Sequence, residues 1–200
     1  MPWVIDQRHS YVGFTIKHMM FTTIRGTFQE YYGLIDLNQN DLASSTFIGE
    51  INVSSIDTRV AKRDEHLRSA AFFHVERFPL ILYKSHKIET QSENRFRVYG
   101  DLTIHGVTRE IVVDGTYAGG PYRDPDGILR TGFSASSSLS RKDFGLLWNV
   151  ALENGGVLVD DRVDIQLDIE LLWQEDHPAG SHDHASANER MTPAIAAPGV

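Results

Sequence analysis

Hydrophobic residues alternate with polar residues along much of the chain, and this period of two constrains the fold more than any other feature. In residues 163–171 every second residue is aliphatic, and the residues between them are Asp, Gln, Asp and Glu. Successive side chains of a β-strand point to opposite faces, so this segment predicts a strand with one buried and one solvated face. The same alternation recurs at residues 11–18, 47–54, 96–104 and 111–117. The chain is therefore predicted to be all-β, with seven or eight antiparallel strands.

Turn signals separate the predicted strands, and one segment departs from the alternation. The turn signals are Asn38-Gln39-Asn40-Asp41, His105-Gly106 and Asp124-Pro125-Asp126-Gly127. Residues 61–73 are rich in helix formers and predict a short helix, capped by Asp57 or Thr58, with Pro79 opening the next strand. An all-β chain with one helical insertion forms a closed barrel or a sandwich, and the pattern leaves both open.

The end of the chain differs from the rest in composition. Residues 174–200 contain almost no large apolar side chains and carry a formal charge of -3, out of -8 for all 200 residues. Such a segment cannot bury enough apolar surface to offset the entropy lost on ordering. We therefore expect one folded domain over residues 1–173 and a disordered, His-containing tail over residues 174–200.

Composition also excludes several classes of protein. The chain has no cysteine, which excludes disulfides, thiolate zinc sites and cysteine nucleophiles. Its negative net charge argues against a nucleic-acid binder, which needs a basic surface. Asp6 and Arg8 stand where a signal peptide carries its apolar run, and no stretch approaches the roughly 18 apolar residues of a membrane span. We expect a cytoplasmic protein without stable membrane insertion.

Catalytic and metal-binding signatures are weak. The chain lacks the Gly-x-Ser-x-Gly, His-Glu-x-x-His, phosphate-loop and dinucleotide-binding motifs, so no catalytic residue is assigned and an enzyme is not favoured. His177, His182 and His184 in the tail offer imidazoles to a transition metal, but a solvated tail is the simpler explanation. No metal site and no cofactor are predicted.

The apolar faces of the predicted strands mix large aromatic side chains with small residues. Phe47 shares its face with Gly49, and Phe133 shares its face with Ala135. A barrel leaves room for a ligand when small inward residues stand beside large ones. Ordinary core packing also interleaves large and small side chains, and on the pattern alone that interpretation is favoured.

Many spaced motifs resemble the YceI-like, polyisoprenoid-binding proteins, and the resemblance covers nearly all of residues 3–172. The central motif is Gly-Asp-Leu-Thr-Ile-His-Gly-Val-Thr-Arg at residues 100–109. The others include Trp3-Val4-Ile5-Asp6, Lys17-His18-Met19, Arg63-Asp64-x-His66-Leu67-Arg68-Ser69, Phe72-Phe73, Arg141-x-Asp143-Phe144-Gly145 and Val159-Asp160-Asp161-Arg162-Val163.

This resemblance implies an extended, eight-stranded antiparallel barrel of lipocalin type with a short helical insertion. Its tunnel would hold a long isoprenoid or related amphiphile, such as a polyprenyl lipid or an isoprenoid quinone, for binding, storage or transport without catalysis. Family members often form dimers, so a homodimer is expected. Many members carry a periplasmic signal peptide, and this sequence is expected to differ from them in that respect. Two alternatives stay open: an enzyme that uses a His and an acidic residue in the tunnel, and a metal-responsive role for the tail.

Resemblance and alternation together assign candidate residues to the tunnel. The predicted wall consists of Phe14, Ile16, Phe28, Phe47, Ile51, Val53, Leu67, Phe72, Phe73, Leu82, Phe133, Phe144 and Leu167. The residues predicted to donate hydrogen bonds or charge to a ligand head group at the mouth are His18, Arg63, His66 and Arg141. For the arginines a second interpretation is favoured, in which Arg63-Asp64 and Arg141-Asp143 are structural pairs.

Overall fold

Twelve β-strands and one α-helix form the regular structure of the described residues. The computed structural model describes residues 3–38, 40–153 and 155–173, so the predicted tail lies outside the described residues. The strands are β1 (Trp3–Ile5), β2 (Tyr11–His18), β3 (Thr22–Phe28), β4 (Tyr31–Asp36), β5 (Thr46–Asn52), β6 (Ile56–Asp57), β7 (Leu80–Thr90), β8 (Arg95–Ile104), β9 (Val107–Tyr117), β10 (Tyr122–Arg123), β11 (Leu129–Ser140) and β12 (Val159–Trp173). The helix is α1 (Ala61–Arg68), and short 3₁₀ turns span Leu42–Ser44, Val53–Ser55 and Arg141–Phe144.

Eight of these strands close an antiparallel barrel. The order β11-β9-β8-β7-β5-β4-β1-β12 returns to its start because β12 also pairs with β11. Along its other edge β12 pairs first with β2 and then, through residues 171–173, with β1. Strands β3 and β6 extend the sheet beyond β2. The predicted eight-stranded barrel is confirmed, and the sandwich alternative is wrong.

The predicted alternation matches the inward and outward faces of the longest strands. In β12 Ile169 and Leu171 are buried, and Ile169 stands opposite Phe133 of β11 inside the barrel. Asp168 lies on the outer face, where its carboxylate accepts a hydrogen bond from Ser134 of β11. A strict period of two in these strands therefore predicts which side chains face the core.

Two predicted turns form as expected. His105 and Gly106 link β8 to β9 with φ of 52° and 75°, and a Cβ on Gly106 would lie 2.6 Å from the Phe78 ring. Glycine is required there by both the positive φ and the close approach. Asp124 accepts hydrogen bonds from the backbone of Asp126 in the turn between β10 and β11.

The predicted helix is shorter than expected and begins differently. It ends at Arg68, before Phe73, and its N-cap is Val60, which makes no side-chain cap. Arg59 has a φ of 64°, and this backbone turn separates Asp57 and Thr58 from the helix start. Among the described residues, the side chain of Thr58 does not accept a hydrogen bond from the helix backbone. Instead, Asp64 in the first turn of the helix accepts hydrogen bonds from the Thr58 backbone and hydroxyl.

The hydrophobic core lies inside the barrel in two clusters. The larger cluster contains Trp3, Phe144 and Leu171, and the smaller contains Phe96 and Val98. In the part of the chain that the structure describes, no helix has the length and apolar character needed to cross a membrane.

Candidate ligand-binding cavity

The barrel contains an apolar cavity of about 390 Å³. Its wall is built from residues of β1 to β5, β7 to β9, β11 and β12, together with α1 and the segments after α1 and β11. This volume falls within the range of about 300–1,000 Å³ that small-molecule sites occupy. The apolar side chains of the wall suit an apolar ligand.

Fifteen of the seventeen residues predicted from the sequence lie on the cavity wall. They are Phe14, Ile16, His18, Phe28, Phe47, Ile51, Arg63, His66, Leu67, Phe72, Phe73, Phe133, Arg141, Phe144 and Leu167. The structure therefore brings these residues together around one space. That they contact a ligand stays a prediction.

Leu82 and Val53 do not line the cavity, so their assignment to the wall is wrong. Leu82 is 43% exposed on the outer face of β7, whereas Ile81 and Tyr83 face inward. Val53 is buried in the core, but it belongs to a 3₁₀ turn. The Asn52 side chain accepts a hydrogen bond from the Ser54 backbone and ends the strand there, so alternation no longer applies at Val53.

Arg141 is a structural residue at one end of the cavity. It is 1% exposed, and all five N–H donors that a guanidinium carries are engaged within the protein. Their acceptors are the backbone oxygens of Leu146, Trp148, Val159 and Asp160 and a carboxylate oxygen of Asp161. Its predicted role as a donor to a head group is therefore wrong. The predicted pairing with Asp143 is also wrong, because the carboxylate partner is Asp161.

Arg63 uses only two of its five N–H groups within the described residues. Its Nε donates to the Thr58 hydroxyl and one Nη donates to the Thr58 carbonyl, both at 2.7 Å. Thr58 in turn donates to Asp64, so Arg63 and Asp64 are joined through Thr58 and not directly. The other three N–H groups of Arg63 make no hydrogen bond within the described ranges of the chain, and Arg63 lines the cavity.

Aromatic rings surround His66 at the same end of the cavity. The His66 ring lies edge-to-face with Trp148 at 4.6 Å between centroids, and Phe72 lies 6.4 Å from both rings. His18, the last residue of β2, stands opposite Val159 and also lines the cavity. This end therefore combines an aromatic wall with the two histidines and Arg63.

Trp148 and Tyr83 are among the wall residues that were not predicted from the sequence. Trp148 follows β11 in a segment without alternation, so no sequence signal marks it. Tyr83 lies on the inner face of β7, two residues after Ile81. Starting the alternation at Ile81 would have identified Tyr83 and placed Leu82 outside.

A second polar cluster lies away from the cavity, at the junction of β1, β11 and β12. Arg130 contacts Asp6 at 3.0 Å and Asp124 at 2.6 Å, and it also pairs with Glu170, while His9 lies 2.8 Å from Asp6. Burial raises the pKa of the Asp6 carboxyl, but hydrogen bonds from His9 and Arg130 outweigh it and hold that pKa well below its usual range. Asp6, His9 and Glu170 are close enough to share an ion, but Arg130 already supplies the positive charge there. The cluster therefore fixes the strand junction.

Comparison with known proteins decides the family. The family model described as a YceI-like domain matches residues 3–171. The chain belongs to the YceI-like family. A UPF0312 protein of Staphylococcus epidermidis is similar to this YceI-like chain, with 37% identity over 83% of this chain and 94% of its own length.

Solved structures share the fold of this YceI-like barrel. BcnA of Burkholderia cenocepacia superimposes with a TM-score of 0.72 at 20% identity, over 83% of this chain and 98% of its own. A polyisoprenoid binding domain from Saccharophagus degradans superimposes with a TM-score of 0.61 at 12% identity, over 85% of this chain and 97% of its own. The resemblance noted in the sequence is confirmed at the level of family and fold.

Proposed function

We propose that this YceI-like protein binds a long isoprenoid or a related amphiphilic lipid inside its barrel, without catalysis, and stores or carries it. The apolar cavity carries this proposal, because its wall offers apolar side chains along its length and polar groups at the α1 end. The family and the polyisoprenoid binding domain of similar fold support the same class of ligand.

The size of the hydrophobic effect supports a carrier or a reservoir. A ligand that buries about 20 carbons gains about 16 kcal/mol relative to water, at roughly 0.8 kcal/mol per carbon. Association costs about 4–15 kcal/mol, so affinities from micromolar to nanomolar are expected from water. The interior of a bilayer also keeps the isoprenoid chain of the ligand away from water. Transfer of the ligand from a membrane to the cavity therefore changes the hydrophobic free energy little. Shape and polar contacts then decide retention, which suits reversible transfer.

The arrangement of titratable groups supports binding over catalysis on the lipid. An enzyme would need a histidine and a carboxylate in contact within the cavity. Within the described part of the chain, His18 and His66 on the cavity wall form no ion pair with a carboxylate. The pair formed by His9 and Asp6 belongs to the strand junction outside the cavity.

Displacement of a fluorescent apolar probe, 1-N-phenylnaphthylamine, tests the proposed function. Geranylgeraniol is expected to displace the probe at micromolar or lower concentration, whereas glycerol, which has hydroxyls and no chain, is not. Failure of geranylgeraniol to displace a probe that does bind would contradict isoprenoid binding.

The homodimeric state and the cytoplasmic location expected from the sequence stay predictions. Light scattering coupled to size-exclusion chromatography tests the first, and fractionation of the native host tests the second. The metal-responsive alternative fails if deletion of residues 174–200 leaves zinc binding by the protein unchanged.

A further inference from the structure

The hairpin that joins β2 to β3 ends in three exposed apolar side chains. They are Met19, Met20 and Phe21, of which Met20 is 65% exposed and Phe21 is 72% exposed. Within the described residues, the outer edge of β3 pairs with another strand only at Thr27 and Phe28, which lie at the other end of β3 from the hairpin tip. The tip therefore has no strand beside it on that edge and stays open to solvent.

The turn at this tip has a backbone geometry that methionine disfavours. Met19 and Met20 have φ of 50° and 68°, and the Phe21 backbone N–H donates to the His18 carbonyl at 3.3 Å. Hairpin turns with positive φ at both central residues favour Asn and Gly, because other side chains crowd the backbone there. Residues that break such a local rule mark functional sites more often than ordinary turns.

A second loop adds exposed apolar side chains beside the hairpin tip. The Met19 N–H donates to the Leu158 carbonyl at 2.8 Å, and the Leu158 N–H donates to the Val150 carbonyl at 2.9 Å. Met20 lies against Gly156, since a Cβ on Gly156 would be 3.1 Å from the Met20 sulfur. The exposed apolar residues of the two segments, called the tip surface below, are Met19, Met20, Phe21, Leu147, Val150 and Val157.

The tip surface adjoins the α1 end of the cavity. His18, which precedes the hairpin tip, and Trp148, which follows Leu147, both line the cavity. Trp148 also contacts His66 of α1, with 4.6 Å between the ring centroids. A partner that covers the tip surface therefore lies next to the end of the cavity where the polar side chains are found.

The charges around the tip surface differ in sign from the charge of the whole chain. Residues 11–28 contain Lys17 and Arg25 and no acidic residue, and both side chains are exposed. Residues 59–68, which include α1, carry a formal charge of +2, in a chain whose net charge is -8. Residues 145–158 contain one charged residue, Glu153. Basic side chains beside an exposed apolar surface fit an anionic lipid bilayer, which attracts the charges and takes up the apolar groups.

A second copy of the chain fits this surface less well. In a symmetric dimer the same patch is used by both subunits, so Lys17 and Arg25 of each copy would approach those of the other. Like charges that face each other across an interface oppose association. The charge pattern therefore favours the bilayer as the partner.

We propose that the tip surface docks on an anionic lipid bilayer, with Met20 and Phe21 among the headgroups and Lys17 and Arg25 against the anionic groups. The inference rests on the proposed function for what is exchanged there, an amphiphile that passes between the bilayer and the adjoining end of the cavity. Docking of this kind is peripheral and reversible, because it depends on a few apolar side chains and on charge.

Sedimentation of the full chain with large unilamellar vesicles tests the docking surface. The wild type is expected to bind vesicles made of equal parts phosphatidylcholine and phosphatidylglycerol. Met20→Gly/Phe21→Ser is expected to bind them about 10- to 100-fold more weakly, because two apolar side chains are lost from the contact. Glycine suits the positive φ at position 20, so the Tm of this variant is expected to stay at or above that of the wild type.

Lys17→Gln/Arg25→Gln tests the contribution of charge. This variant is expected to bind the same vesicles about 5-fold more weakly for each charge removed. Its binding to vesicles of phosphatidylcholine alone is expected to equal that of the wild type. A variant that keeps wild-type affinity for the anionic vesicles would overturn the assignment of an anionic bilayer.

Tyr122→Ser is the matched control for loss of an exposed apolar side chain. Tyr122 is 66% exposed in β10 and pairs with Arg130, which lies opposite Leu172 near the end of β12. The hairpin tip lies at the start of β12, where His18 stands opposite Val159. Tyr122→Ser is therefore expected to bind the anionic vesicles as tightly as the wild type.

The remaining outcomes separate the docking surface from the proposed function. Equal vesicle binding by the wild type and Met20→Gly/Phe21→Ser, or no vesicle binding by a wild type that takes up geranylgeraniol, overturns the docking surface and leaves the proposed function standing. Light scattering that shows a dimeric wild type and a monomeric Met20→Gly/Phe21→Ser also overturns it, because the tip would then join two copies of the chain. Vesicle binding that depends on the tip supports the docking surface even if geranylgeraniol displaces no probe, a result that contradicts the proposed function alone.

Discussion

Gly49 offers a direct way to fill the cavity without disturbing the barrel. It lies in β5 between Phe47 and Ile51, and a Cβ placed there would meet no atom closer than the Cβ of Tyr83 at 3.9 Å. A Cβ at this position therefore fits without a clash, and Gly49 lines the cavity. Glycine within a strand destabilises by about 0.5–1 kcal/mol relative to alanine, so Gly49→Leu is expected to keep or raise the free energy of unfolding.

The effect of Gly49→Leu on binding follows from the space that leucine takes. Its four side-chain carbons occupy space that about four ligand carbons would fill, at roughly 0.8 kcal/mol each. The expected loss is about 3 kcal/mol, or about 200-fold in the dissociation constant for a ligand that fills the cavity. Probe displacement by geranylgeraniol measures the affinity, and urea unfolding measures the stability.

Thr116→Leu is the matched control, because Thr116 is exposed on the outer face of β9. It adds the same side chain outside the barrel and is expected to leave the affinity unchanged. Wild-type affinity in a folded Gly49→Leu protein would refute the placement of ligand in this cavity. A large loss of unfolding free energy in Gly49→Leu would refute the claim that Gly49 borders open space.

Three further predictions concern the framework around the cavity. Arg141→Leu leaves several buried carbonyls without donors and is expected to lower the free energy of unfolding by about 3–5 kcal/mol in urea; a loss below about 1 kcal/mol would contradict its anchoring role. The pKa of the Asp6 carboxyl is lower in the folded protein than in the unfolded chain, where it is about 3.9. The ionised carboxylate therefore stabilises the fold above that pH, and this contribution is lost as pH falls below it. Urea titrations should therefore show a loss of unfolding free energy below about pH 4 that is smaller in Asp6→Asn than in the wild type. Identical pH profiles for the two proteins would contradict the stabilising role of the cluster. Leu171→Ala, at a fully buried site, is expected to lower the free energy of unfolding by about 2–5 kcal/mol, measured by thermal unfolding. Leu82→Ala, at an exposed site, is expected to lower it by about 0.5 kcal/mol. Equal losses would contradict the assignment of the two residues to the inner and outer faces.

The sequence predicts the barrel well where polar and apolar residues alternate strictly. Over residues 162–171 of β12 every second residue is charged or amidic, so only one register buries the aliphatic face. The start of β7 reads Leu80-Ile81-Leu82-Tyr83 and is apolar on both faces. Alternation cannot choose between the faces there, so it does not distinguish Leu82, which faces outward, from Tyr83, which faces inward.

Contacts between distant segments could not be predicted in the same way. Asp143 is close to Arg141 in sequence, but the acceptors that surround the guanidinium belong to residues 146–161. Their arrangement depends on how the segment after β11 folds back to β12. The position of Trp148 against His66 depends on the same segment, and hydrophobic periodicity carries no information about it.

Native mass spectrometry of the protein purified without detergent tests the presence of a cavity ligand most directly. We predict a population of wild-type protein with added mass that collisional activation releases, and an isoprenoid of the same mass in the organic extract. Gly49→Leu, purified in parallel, should carry less of it. Wild-type protein that is consistently free of added mass, with no isoprenoid in its extract, would contradict the proposed function.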